Sequence, residues 1–186
     1  MSRTLKEGSA AVRDIVDEVS GNLLRATENE LLSSVDYDDK DFIHNGLIHF
    51  GDVFLSESDN AIEIVEIIAE ESGTVLFKPD LKLYLFDPDC DIDSTAGDIF
   101  DYTGVTSPVD VRSIQTIAAT DYTDMNNGIN VNFSRAVKTV TKDKYIKQHT
   151  GDNSRDLKGV LQFNSSTPNR FDDDSTFRIK IRFIHK

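Results

Sequence analysis

The stretch Phe177-Arg-Ile-Lys-Ile-Arg-Phe183 alternates four apolar side chains with three basic ones. This two-residue period is that of a β-strand with one face on a core. Burial of the four apolar side chains would contribute on the order of 6 to 12 kcal/mol by transfer bookkeeping. The stretch therefore predicts a strand inside a sheet, with Arg178, Lys180 and Arg182 on the opposite face.

The same period occurs upstream, in Thr74–Phe86, where Leu81, Leu83 and Leu85 share one face. We predict a strand there. The segment Ala61–Glu70 is rich in Ile and Val and predicts another strand, although its length also permits a short helix.

Turn-rich connectors separate these segments. They contain clusters of Gly, Asn, Asp and Pro, at Asp87–Gly97, Asp124–Gly128, Gly151–Asn153 and Asn164–Asp174. Several strands joined by such connectors predict a mainly β protein, an antiparallel β-sandwich or jelly roll.

Two segments depart from the β pattern. Ser9–Leu32 has apolar residues at helical spacing and is interrupted by Ser20-Gly21, which predicts an N-terminal helical arm over residues 1–41 and a β-domain over 42–186. Whether the arm packs on its own domain or binds a partner stays open. Ser107–Ile117 predicts one short helix between strands, because Ser107 suits a cap and Pro108 a first helical position.

The charge and composition exclude several classes of protein. The 186 residues carry 20 basic and 33 acidic side chains, a net charge of −13, which disfavours binding to nucleic acid. Cys90 is the single cysteine, so no intrachain disulfide forms. Neither a signal peptide nor a run of eighteen apolar residues occurs, and we expect no membrane step.

The acidic stretch Asp87–Asp98 fits a calcium loop of the EF-hand type only in part. Such a loop requires Gly at its sixth position and Glu at its twelfth, where this chain has Ile92 and Asp98. Alternate residues of an extended chain also lie about 7 Å apart, too far to share one ion. We expect a solvated connector without a metal.

No catalytic pattern stands out. His44 and His49 are five residues apart, a spacing that brings both rings to one metal ion in neither a helix nor a strand. We interpret them as ordinary polar residues. Cys90 lies among acids, which should raise the pKa of its thiol and disfavour a reactive thiolate. Nucleophile elbows, phosphate loops and zinc-protease motifs are missing from the sequence. We expect no enzymatic activity and no cofactor.

The basic row of Arg178, Lys180 and Arg182 has three possible roles. It could pair with carboxylates of neighbouring strands, with another subunit, or with an acidic partner. A solvated strand face is the simplest interpretation.

Several segments resemble small auxiliary or decoration proteins of tailed bacteriophage heads, a β-sandwich family. The similarity covers Ile62 to Ile184 and depends on the order of its segments, which are Leu81–Asp89, Thr95–Phe100, Ile114–Tyr122, Leu157–Phe163, Thr167-Pro168 and Phe177–Ile184. It implies a non-enzymatic virion structural protein, made in the host cytoplasm, that binds the major capsid protein on the outer surface of the head. The longer N-terminal region leaves the mode of attachment open.

Such a protein would form a homo-oligomer, for which we favour a trimer that buries the apolar stripe of the arm. The candidate oligomer or capsid contacts are Val12, Ile15, Val16, Val19, Leu23, Arg178, Lys180 and Arg182. The alternatives are a soluble recognition module for glycans or receptors, a neck, vertex or tail protein of the virion, and a hydrolase that uses Asp pairs. The chain has no Trp and only five Tyr, which disfavours glycan binding.

Overall fold

The computed structural model describes residues 17–20, 24–25, 36–44, 47–54, 61–86, 97, 111–125, 132–148, 155–165, 170–172 and 174–186. These ranges form eleven strands and a single turn of 3-10 helix at Ala119–Asp121. The strands are β1 (Asp17–Ser20), β2 (Leu24–Arg25), β3 (Ile48–Phe50), β4 (Ala61–Gly73), β5 (Leu81–Phe86), β6 (Val111–Ile117), β7 (Tyr122–Asp124), β8 (Asn132–Thr139), β9 (Tyr145–Lys147), β10 (Leu157–Phe163) and β11 (Thr176–His185).

The strands make two antiparallel sheets. In the large sheet of seven strands the order is β1-β11-β4-β8-β7, with β2 also on β11 and β9 also on β4. Thus β8 and β9 lie end to end along one edge of β4, and β1 and β2 lie end to end along the outer edge of β11. The small sheet of four strands has the order β3-β10-β5-β6.

The core lies between the two sheets. Phe177, Ile179, Ile181 and Phe183 of β11 are all buried, as the alternation predicts. Leu81, Leu83 and Leu85 of β5 are buried in the same apolar cluster, together with side chains of β3, β4 and β10. The predicted mainly β, two-layered architecture is confirmed.

A bulge in β4 explains why its alternation is imperfect. Phe183 pairs with Ile64 and Arg182 pairs with Glu66, so Val65 is an extra residue without a partner on β11. The residue shifts the buried positions from even to odd numbers along the strand. The sequence Ile-Val-Glu-Ile-Ile therefore also fits a helix, although the segment is a strand, as predicted.

A second, smaller apolar cluster lies on the outer face of the small sheet. Phe86 and Val160 are buried there together with Phe42, whose backbone bridges to Gln162. Gly97 donates its N–H to the carbonyl of Phe42 at 2.9 Å. The chain thus covers this face with its own segments, and Gly97, at the end of the predicted solvated connector, contacts the body.

The prediction of a helical arm is wrong for those residues of the arm that the structure describes. Asp17–Ser20 is strand β1, with Val19 opposite Ile181, and Leu24–Arg25 is strand β2. The outer edge of β11 offers unpaired backbone groups that a strand satisfies and a helix does not. Val12, Ile15, Val16 and Leu23 lie outside the described residues.

The short helix at Ser107–Ile117 is also wrong, because Val111–Ile117 is strand β6. Its inward positions include the polar residues Ser113 and Gln115, while Ile114 is 44% exposed. The Gln115 side-chain amide donates to the Ser113 hydroxyl and to the Lys142 carbonyl, which satisfies it inside the sandwich. In β6, polar residues therefore occupy inward positions and an apolar residue occupies an outward one, so the sequence pattern does not indicate a strand.

Candidate interaction surface

The outward positions of β4, β8, β9 and β11 form the outer face of the large sheet. Since registered residues of neighbouring strands share a face, Arg178 lies beside Glu70, Lys180 beside Ile68 and Arg182 beside Glu66. The three residues of the predicted basic row are thus brought together on one surface.

Carboxylates of β4 accept hydrogen bonds and ion pairs from this row. Arg182 Nη1 donates to Glu66 Oε2 at 2.9 Å. Lys180 Nζ lies 3.4 Å from Glu70 Oε2, and Arg135 Nε lies 3.5 Å from Glu70 Oε1. Of the three roles predicted for the row, pairing across strands is therefore realised for Lys180 and Arg182.

A second group of ion pairs lies at the far end of the face. The ammonium groups of Lys144 and Lys186 each lie 2.6 Å from the Glu63 carboxylate. These hydrogen bonds, first from Lys144 and then from Lys186, lower the pKa of Glu63 to about 2. Tyr145 is 63% exposed beside them, with the Lys144 ammonium 5.2 Å from its ring centre.

The charge balance of this face is opposite to that of the whole chain. Its described strand positions carry the three carboxylates of Glu63, Glu66 and Glu70. They carry five basic side chains, those of Arg135, Lys147, Arg178, Lys180 and Arg182. Lys144 and Lys186 add two more ammonium groups through Glu63. The face is positive in a chain whose net charge is −13.

Arg178 and Lys147 differ from the other basic residues of the face. Both are exposed, and neither has an ion pair among the described residues. Arg178 lines a shallow cavity of about 110 Å³ with Glu70, Glu71, Ser72, Phe133 and Thr176. The hydroxyls of Ser72 and Thr176 bond to each other at its edge. These two cations are the ones that a partner can reach without displacing a carboxylate of the same face.

The aspartate-rich end of the sandwich forms a second charged surface. It consists of the turns at residues 36–40, 74–80, 124–125, 170–172 and 174. The turns at 36–40 and 74–80 are connected through the end of β10. The N–H of Lys40 donates to the carbonyl of Phe163, and the N–H of Asn164 donates to that of Asp80, each at 2.9 Å. Its acidic residues are Asp36, Asp38, Asp39, Asp80, Asp124, Asp172 and Asp174, and its basic residues are Lys40, Lys78 and Arg170.

Some of these aspartates are already bonded and others are not. Lys78 Nζ lies 2.6 Å from Asp124, and the Asp174 carboxylate accepts the backbone N–H of Thr74 at 3.0 Å. Asp38 and Asp39 are exposed, and neither has an ion pair among the described residues. We call this surface the acidic end.

A buried carboxylate supports the acidic end from inside. Glu71 is fully buried, and its two oxygens accept the backbone N–H groups of Phe77 and Lys78 at 2.7 Å each. Lys78 has a left-handed φ of 51°, so Glu71 holds the tight turn between β4 and β5. Burial raises the pKa of Glu71 despite these hydrogen bonds. Burial of the Tyr122 hydroxyl, and after it the nearby carboxylate of Glu71, raises the pKa of Tyr122.

The other residues considered as sites are dispersed. His44 is buried, and its Nε2 accepts the N–H of Leu161 at 3.0 Å, whereas His49 is exposed on β3. Cys90 and the rest of the acidic stretch, apart from Gly97, lie outside the described residues. Within the described ranges no three His, Cys, Asp or Glu side chains are placed to hold a metal ion. No helix in those ranges is long and apolar enough to cross a membrane.

Sequence reasoning missed the cations Arg135, Lys144 and Lys147 of the outer face. Only strand pairing places them beside β4, and no local pattern predicts that pairing. Glu71 was also missed, although a signal was present. It follows the buried residues Ile67 and Ala69 at the same two-residue period, which places its side chain inside.

No protein-family model, curated protein or solved structure matches this chain.

Proposed function

We propose that this chain is a non-enzymatic structural protein of a tailed-phage virion, which binds the outside of the assembled head and stabilises it. One observation carries the proposal beyond the sequence resemblance. Parts of three of the resembling segments, Leu81–Phe86, Ile114–Ile117 and Leu157–Phe163, are adjacent strands in the order β10-β5-β6. These three parts are therefore contiguous in the small sheet, and a further resembling segment, Phe177–Ile184, is β11 of the large sheet.

The resemblance also implies finer features that belong to this proposal. They are a jelly-roll connection of the strands, the major capsid protein as partner and a homo-oligomeric state. A protein that binds only the assembled lattice stabilises that lattice by mass action. Many symmetric copies make weak single contacts sufficient, because avidity multiplies them.

The copy number of the protein tests this function. Quantitative mass spectrometry on density-purified particles of the source phage gives the molar ratio of this chain to the major shell protein. We expect hundreds of copies per particle. A handful of copies would assign the chain to a neck, vertex or tail instead, and absence from the particles would reject a virion role and favour a soluble recognition module.

A further inference from the structure

The outer face of the large sheet and the acidic end carry opposite charge on one molecule. We propose that the outer face of one copy binds the acidic end of a second copy of this chain. The inference deepens the homo-oligomeric state that is part of the proposed function, and its test on the purified chain is separate from the copy number per particle, because both surfaces belong to the chain itself.

Charge complementarity identifies the partner. The face has more basic than acidic side chains, and Arg178 and Lys147 are exposed there without an ion pair among the described residues. The acidic end presents Asp38 and Asp39, which are exposed and likewise without a described ion pair. A guanidinium or ammonium group pairs well with such carboxylates.

The two surfaces are different, so the contact is heterologous. The face of each copy engages the end of the next copy, which produces a closed ring when the rotation between copies closes and an open chain when it does not. A closed ring of three copies would agree with the expected trimer.

The contact should be sensitive to salt. Exposed ion pairs each contribute little and are screened over about 8 Å at physiological ionic strength. Self-association that depends on several such pairs must therefore weaken as salt rises, unlike association through an apolar patch.

Sedimentation velocity on the full chain tests the contact directly. At about 50 mM NaCl, and at protein concentrations up to about 100 μM, we expect reversible self-association that weakens at least about tenfold at 0.5 M NaCl.

Charge reversal then identifies the surfaces. Arg178→Glu should weaken association by about fivefold to tenfold. The matched control is Lys158→Glu, which changes the net charge equally but lies on the outer face of the small sheet, opposite His49 and Phe86, at the end of β10 away from the acidic end. We expect a change below about twofold for this control, because its like-charge repulsion is screened and outside the contact.

A reversal on the other surface completes the experiment. Asp39→Lys should weaken association as Arg178→Glu does, and the double variant with both changes should recover part of the loss, since its altered face meets an altered end. Circular dichroism checks that each variant is folded.

Three results would overturn the proposal. The first is a wild-type chain that stays monomeric over the whole concentration range. The second is a control that weakens association as much as Arg178→Glu, which would show an effect of net charge alone. The third is association that neither Arg178→Glu nor Asp39→Lys changes.

Discussion

The outer faces of the two sheets differ in polarity and in solvent exposure. On the large sheet many of the outward side chains are charged, and carboxylates of β4 pair with cations of β8 and β11. On the small sheet the outward residues Phe86 and Val160 are fully buried, because Phe42 and its neighbours cover them. One sheet therefore has a single apolar face and the other has two.

This difference determines how clearly the sequence predicts the strands of each sheet. A strand with one apolar face shows clean alternation, as β11 does. A strand covered on both faces, such as β10, has a nearly continuous buried run in which only Lys158 is partly exposed. The charged outer face also remains available for a partner, whereas the covered one does not.

The largest effect expected concerns the two faces of β11. Phe183→Ala should lower the free energy of unfolding by about 3 to 5 kcal/mol, because it leaves a cavity in the shared core. Arg182→Ala, next to it on the outer face, should cost less than about 1 kcal/mol, since its ion pair with Glu66 is partly exposed. Urea denaturation of both variants measures this difference, and equal losses would mean that the outer face is not solvated.

The inner face of β10 is tested by adding a methyl group. A Cβ on Gly159 would lie 2.9 Å from Cε2 of the buried Phe50 and 3.4 Å from Cδ1 of Leu83. Gly159→Ala should therefore destabilise the protein by about 1 to 3 kcal/mol through overpacking. A thermal unfolding scan measures the loss, and an unchanged melting temperature would show that the Phe50 side chain moves aside easily at this point.

Two valines compare the outer faces directly. Val160 of the small sheet is fully buried, while Val137 of the large sheet is 45% exposed. Val160→Ala should cost about 1 to 2.5 kcal/mol, and Val137→Ala should change stability by no more than about 0.5 kcal/mol. Because the same chemical change is made in both variants, the difference between their urea midpoints measures how far each outer face is buried. Equal midpoints would contradict the burial of the small sheet's outer face.

Two glutamates of β4 sharpen the comparison through pH. The folded pKa of Glu71 is raised by burial, so its contribution to stability is full below the ordinary value of 4.5 and is lost as pH rises through the folded pKa. The folded pKa of Glu63 is about 2, so its contribution is present above 4.5 and is lost as pH falls toward 2.

Replacement of each glutamate by Gln removes its own dependence. Relative to Glu71→Gln, the wild-type chain should lose stability as pH rises from 4 to 8, because the buried carboxyl must ionise. Relative to Glu63→Gln, it should gain stability as pH rises from about 2 to 4.5. Urea titrations at each pH measure both differences, and slopes of the same sign would contradict the opposite environments of the two carboxylates.

The sequence was sufficient for the mainly β class because β5 and β11 obey the two-residue period on their own. It was insufficient for β6, where Ser113 and Gln115 face inward and the Gln115 amide donates to the Ser113 hydroxyl and to the carbonyl of Lys142, far away in sequence. It was also insufficient for β1, whose state is decided by the open edge of β11 rather than by its own apolar spacing.

The candidate surface was predicted only in part for a similar reason. Arg178, Lys180 and Arg182 lie in one strand, and their common face follows from local geometry. Their partners Glu66, Glu70 and Arg135 are far away in sequence and come together only through strand pairing. Which cations are satisfied and which are left for a partner is therefore a property of the whole fold.

The position of β11 has a consequence for biosynthesis. Strand β11 pairs along its length with β4, more than one hundred residues earlier, and with β1 on its other side. While the nascent chain still holds β11 inside the ribosomal tunnel, β4 has one bare edge and the core lacks four of its large side chains. The sandwich can close only after β11 has left the tunnel, and folding through such distant pairings is slow. The protein must therefore pass through an interval in which β4 is exposed to chaperones and to the same strand of other nascent copies.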